Sequence, residues 1–226
     1  MHEPVTLREL GSTRALPEVR AWVEGLCARY KSDPVWNDYF VAKRGLTNRL
    51  QGELLPLAHL CDRLAKNWPR HYLTYFTGTE QSFDAHILAE DRTIVDILEV
   101  TLACDGHRDS IAGEYLKKYG FVPLWTALSY SGHRGSRELP FPKFRSMKAD
   151  QIVEDGLVLV RDAVAAKSNS RKYKHTSLVV GLEDSRLLDH DFEYFSDELR
   201  KIQSEFQLIY YVGMDGRFFL EYRTQV

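Results

Sequence analysis

Cysteine is scarce and scattered, with only Cys27, Cys61 and Cys104 in 226 residues. An odd, widely spaced set builds no disulfide framework, and no Cys-x-x-Cys pair offers a zinc or redox centre. The expectation is a reducing, cytoplasmic compartment in which the thiols act as small buried hydrophobes. Long apolar runs are missing too. Nothing approaches the roughly 18 uncharged apolar residues of a membrane span, so no membrane partner is expected. The first residues, Met1 to Pro4, lack the basic-then-apolar order of a signal peptide. G-x-x-x-x-G-K-[ST], H-E-x-x-H and G-x-S-x-G are all absent. The closest glycine-rich stretch, Gly132 to Ser136, follows no strand-to-helix junction and reads as a loop.

Charge of either sign is nearly absent as a net quantity, because 30 Lys and Arg face 32 Asp and Glu for a total of −2. That excludes a chain coating nucleic acid all over. The total hides a cancellation: −2 over 1–132, +5 over 133–175 and −5 over 176–226. Apolar residues at 44% and charged residues at 27% exclude intrinsic disorder and a collagen-like chain.

Periodicity predicts the elements. A helix starts near Pro17, with Val19, Trp22, Val23 and Leu26 at helical spacing, and Pro34 ends it. A second helical region covers about 35–66, interrupted near Gly45, Gly52 and Pro56, with Leu50, Leu54, Leu57, Cys61 and Leu64 on one face. Strands are predicted at 72–77, 82–90, 94–103 and 121–128, with a short helix over 109–119 between the last two. After a basic loop at 129–147 come a helix over about 148–167, a strand at 176–183 and a helix over 191–206. A hairpin of 207–213 and 217–223, turning on Asp215 and Gly216, closes the chain. The expected fold is α/β: a mixed central sheet, an antiparallel meander plus crossover strands, flanked by helices. Residues 1–34 form an N-terminal helical extension and 35–226 a single α/β domain.

The middle hairpin carries the most chemical information. If it turns symmetrically about Asp91 and Arg92, paired residues have numbers summing to 183, which sets Asp84 opposite Glu99. Cross-strand Cβ atoms lie roughly 4.5–5.5 Å apart, and like charges there repel. At an effective dielectric of 20, two unit charges 4 Å apart repel by about 4 kcal/mol. A divalent cation or a shared proton removes that cost. An exposed hairpin with two solvated acids is the plainer alternative.

Asp-x14-Glu-x-Thr on a hairpin, preceded by a helix and followed by helix and strand, resembles the PD-(D/E)XK nuclease superfamily over roughly residues 50–185. The resemblance implies a restriction-endonuclease-like fold and phosphodiester hydrolysis with Mg²⁺ or Mn²⁺. It implies that Asp84 and Glu99 bind the metal and that the Val100 carbonyl joins them. Thr101 stands where the superfamily has a catalytic lysine, and Phe83 where it often has proline. The lysine can come from a neighbouring element, for which Lys117 or Lys118 are the candidates, and Glu53 could supply an acid from the early helix. Alternatively Thr101 marks a catalytically inactive nuclease-fold module that binds nucleic acid or protein.

Other residues have bland and sharp readings side by side. His86 is a half-buried histidine or a neighbour of the metal ligands. Asp105 caps the next helix or joins the site. Between 133 and 175 the basic residues include Arg134, Arg137, Lys143, Arg145, Arg171, Lys172 and Lys174, interleaved with Phe141, Phe144 and Tyr173. That composition suits phosphate contact and base stacking, or a solvated loop and helix end. Tyr210, Tyr211, Phe218, Phe219 and Tyr222 offer a homodimer surface or, more commonly, core packing.

Overall fold

A computed structural model describes residues 3–78, 81–122, 138–141, 148–168 and 175–224, excepting the side chain of His107. The chain begins with α1 (Leu7–Leu10), β1 (Arg14–Ala15), α2 (Leu16–Lys31), α3 (Pro34–Val41) and α4 (Leu46–Arg49). A π-helical segment, Leu50–Leu54, runs on into α5 (Leu55–Leu64). Then follow β2 (Tyr72–Tyr75), β3 (Ala85–Leu88), β4 (Ile94–Ala103), α6 (Gly106–Tyr119), α7 (Ala149–Ser168) and β5 (Ser177–Leu182). The chain closes with α8 (Asp191–Leu199), β6 (Leu208–Gly213) and β7 (Phe219–Arg223).

Among the described residues, seven strands form one mixed sheet in sequential order. The β1–β4 pairs are antiparallel, β4–β5 and β5–β6 parallel, and β6–β7 antiparallel. Strand alternation divides the side chains between two cores. Leu73, Ile87, Leu98, Val179 and Tyr210 pack with α2 and α5 in the first. Leu178, Val180, Ile209 and Tyr211 pack with α7 and α8 in the second. The stretch expected as an N-terminal extension supplies an edge strand and, through Val19, Val23, Leu26 and Tyr30, part of the first core.

Pro56 does not break the second helical region. Proline has no N–H for the carbonyl four residues back, and its ring crowds that carbonyl. The helix widens instead, and the Leu55 N–H bonds the Leu50 carbonyl five residues back. Residues 46–64 stay helical throughout, which keeps Glu53 on a rigid element.

Several expectations need correction. The α8 helix stops at Leu199, and the chain leaves it through short turns from Lys201 to Glu198 and Ile202 to Leu199. Ile202 and Phe206 still reach the second core, so their helical spacing came from core contact without helix. Strand β3 is confined to Ala85–Leu88. Cys27 and Cys61 are buried, whereas Cys104 is exposed. The expected strand at 121–128 lies outside the described residues from 123 onward. Tyr210 is buried in the first core, with Phe219 packed against it, and Tyr211 and Phe218 are buried in the second, with Tyr222 packed against it. Among the described residues no helix is long and apolar enough to cross a membrane.

Candidate functional site

The hairpin register follows the predicted pairing in its body. Ala85 faces Leu98, His86 faces Ile97 and Ile87 faces Asp96, before an irregularity at Ile87 and Leu88 moves the pairing to Leu88 with Ile94. Just before β3 the ladder gives out around Asp84. Its N–H donates to the Leu98 carbonyl at 2.9 Å and its carbonyl accepts from Phe76 N–H at 2.8 Å. Its side chain takes over the next position, with Oδ2 accepting the Val100 N–H at 2.8 Å. Asp84 is therefore held by main chain on both sides, by β4 and by Phe76 just beyond the end of β2.

Glu99 points to the α7 side of the sheet and is 5% exposed. Its Oε1 accepts a hydrogen bond from Lys167 Nζ, near the carboxyl end of α7. Glu53 arrives from the π-helical segment, where the buried Tyr75 hydroxyl donates to its Oε2. Arg49, one turn earlier, donates to the Thr77 carbonyl at 2.7 Å.

These groups share one electrostatic environment. Burial pushes the Asp84 carboxyl above the usual aspartate range, against the Val100 hydrogen bond and the attraction of Lys167 and Arg49. Burial also pushes Glu53 up, and the neighbouring Asp84 charge adds to the effect. Three acids thus converge with two cations where the β2–β3–β4 meander meets α7 and the π-helical segment.

Of the candidates predicted from sequence, Thr101 sits half-buried on β4 beside Val180 of β5. Lys117 pairs instead with Asp38 of α3 at 2.8 Å, its side chain 70% exposed. Lys118 donates to the Leu139 carbonyl at 2.9 Å. Asp105 takes the capping role, accepting from Arg108 N–H at 3.2 Å at the start of α6. Arg134, Arg137, Lys143, Arg145, Arg171, Lys172 and Lys174 lie outside the described residues. Lys167, which the sequence showed only as one member of a basic segment, is the amine that reaches Glu99. Its distance of 68 residues from Glu99 left no local signal.

A second acidic group is structural. Glu183, Asp184 and Asp215 have ligand oxygens within 4.8 Å of one another. Yet Asp184 is fully buried, and its carboxylate accepts the N–H groups of Asp215, Arg217 and Phe218 at 2.8–2.9 Å. It locks the β6–β7 turn. Among the described residues, Glu53, Asp84 and Glu99 form no such closed trio. A cavity of about 280 Å³ at the carboxyl ends of β4 and β5, lined by Leu102, Ile152, Gly156 and Leu182 among others, includes none of these three acids.

Comparison of the chain with family models, with curated proteins and with solved structures returned no match.

Proposed function

We propose that the protein is a metal-dependent hydrolase of nucleic-acid phosphodiester bonds, with Asp84 and Glu99 as metal ligands and Lys167 as the amine. The observation that carries the reading is the contact of Lys167 with the buried Glu99 beside Asp84 and Glu53. This acid and amine set is what the resemblance to PD-(D/E)XK nucleases implies, with the amine coming from α7 instead of position 101. The order α5, β2, β3, β4, helix, β5, with β5 parallel to β4, supports the restriction-endonuclease-like assignment.

The donor set fits Mg²⁺ or Mn²⁺. The acids are oxygen ligands suited to a hard cation, and burial makes their charge costly until something offsets it. A divalent ion there lowers the pKa of a bound water and stabilises charge on phosphate oxygens. The Val100 N–H fixes the orientation of the Asp84 carboxylate through one oxygen. Lys167 holds Glu99, and Tyr75 holds Glu53. The Lys167 ammonium is also a donor for a phosphate oxygen beside the acids.

One observation favours a second reading. Lys167 itself offsets the Glu99 charge, and with Thr101 on β4 this fits a metal-free, inactive binding module. The test is incubation of purified protein with labelled single-stranded and duplex DNA and RNA in Mg²⁺ or Mn²⁺. Cleavage is expected, with loss in Asp84→Asn, in Glu99→Gln and in chelator. Intact nucleic acid throughout, with no calorimetric heat of metal binding, selects the inactive module.

A further inference from the structure

Beside Asp84 is an aromatic cluster that neither core uses. Phe83 and His86 stack with ring centroids 4.5 Å apart and planes 26° apart. Phe76 meets both edge-on, at 5.2 Å from Phe83 and 4.8 Å from His86. All three are half-buried, and none belongs to either hydrophobic core. The cluster is bound to the site by main chain, since Phe76 N–H donates to the Asp84 carbonyl and Phe83 precedes Asp84.

Among the described residues, the second core does not extend over the sheet face around it. Alternation sets His86 on the Glu99 side of the sheet, opposite Ala85 and Ile87, which face the first core. On that side the second core takes in β5, β6, β7 and the carboxyl end of β4, but no residue of β2 or β3. Further along β2, the Arg92 guanidinium lies 3.7 Å from the Tyr72 ring centroid. Among the described residues, the Nε2 of His86 is buried without a hydrogen-bond partner, so the ring meets its surroundings through its π surface.

We propose that Phe76, Phe83 and His86 form a base-stacking platform for single-stranded nucleic acid, seating an unpaired base beside the phosphodiester held at Asp84 and Glu99. The inference rests on the hydrolytic reading of that site and adds its substrate class. Aromatic rings stack on any base, and only an unpaired, unstacked base offers its face. Arg92, exposed over the Tyr72 ring of β2, and Arg49, bonded to the Thr77 carbonyl next to Phe76, supply positive charge for the anionic backbone. Duplex is the disfavoured ligand, because its bases already stack on one another.

The experiment measures binding of a fluorescein-labelled twelve-nucleotide strand, as DNA and as RNA, in Ca²⁺ to limit cleavage. Phe83→Leu keeps apolar volume and removes the ring, and a stacked base is worth roughly 5- to 150-fold in affinity. Expected is at least a fivefold loss for this variant on the intact strand, little difference from wild type on an abasic strand, and weaker wild-type binding to duplex. His86→Leu is the second variant, used if Phe83→Leu lowers the melting temperature. Binding of the intact strand within twofold of wild type by well-folded variants overturns the proposal, as does equal wild-type affinity for duplex or no binding at all. The two readings fail separately. Abolished cleavage in Asp84→Asn alongside unaffected binding in Phe83→Leu sinks stacking alone. Loss of binding in Phe83→Leu without any metal-dependent cleavage upholds stacking and sinks hydrolysis.

Discussion

Replacing Lys167 with Met tests whether the Glu99 pair is a buried interaction or a surface ornament. The Glu99 side chain is 6% exposed and that of Lys167 is 28% exposed. Removing one partner of a buried pair costs about 3–5 kcal/mol, because the other charge stays buried without its counterion. An exposed pair is worth about 0.2–1 kcal/mol. The partial exposure of Lys167 moves the expectation to about 2–3 kcal/mol. For a chain of this size 1 kcal/mol shifts the melting temperature by about 2–4 °C, so a drop of about 4–12 °C is expected. Met keeps the aliphatic stem, which limits the loss of packing. The assay is urea denaturation of wild type, Lys167→Met, Glu99→Met and the double variant. Replacing both charges by apolar groups leaves no orphan, so the double variant should recover to within about 1 kcal/mol of wild type. A cost below about 0.5 kcal/mol for Lys167→Met, or a double variant equal to the sum of the singles, refutes the buried-pair account.

Asp84 and Glu53 make a pH prediction whose sign runs against the usual carboxylate case. Their folded pKa values are raised by burial, so on raising the pH the unfolded chain loses these protons first. Their contribution is fully present below the unfolded values and is lost as pH rises through the folded ones. Without metal, Asp84→Asn should therefore be more stable than wild type at pH 7, with the gap closing towards pH 4. Denaturation midpoints across that range measure it, and a gap that widens on acidification contradicts it. Asp184→Asn should cost about 2–3 kcal/mol, because one amide oxygen cannot serve three N–H groups that share a buried carboxylate. Urea denaturation would show it, and a neutral result would mean that the turn holds without the carboxylate.

The hairpin was legible because its information is local. Alternation and a polar turn at Asp91 and Arg92 fix a register, and the Ala85–Leu98 pairing follows from them. The acids could be named for the same reason. Lys167 could not, since which side chain of a twenty-residue helix faces a given strand depends on packing between elements far apart in sequence. The choice of Lys117 looked to the next helix, and that lysine is spent on Asp38 of α3. Glu53 was obscured by Pro56, whose usual effect is to end a helix. The π-helical shift that absorbs it depends on tertiary support and leaves no local sign. The Phe76, Phe83 and His86 cluster was invisible because Phe83, outside the strand, turns onto His86 against simple alternation.

Asp84 does two jobs at once, and that decides how its chemistry can be tested. Its carboxylate replaces a main-chain acceptor at the point where the β3–β4 ladder ends, so the Val100 N–H depends on it. Alanine at this position would strand a buried donor, at a cost of about 1–3 kcal/mol, and would let the strand end move. Lost activity in that variant would then report structure as much as metal binding. Asparagine keeps an oxygen for Val100 and removes only the charge. Stability at or above that of wild type together with lost function in Asp84→Asn therefore points to the charge itself. Equal loss of stability in the asparagine and alanine variants would instead assign Asp84 to the architecture of the hairpin.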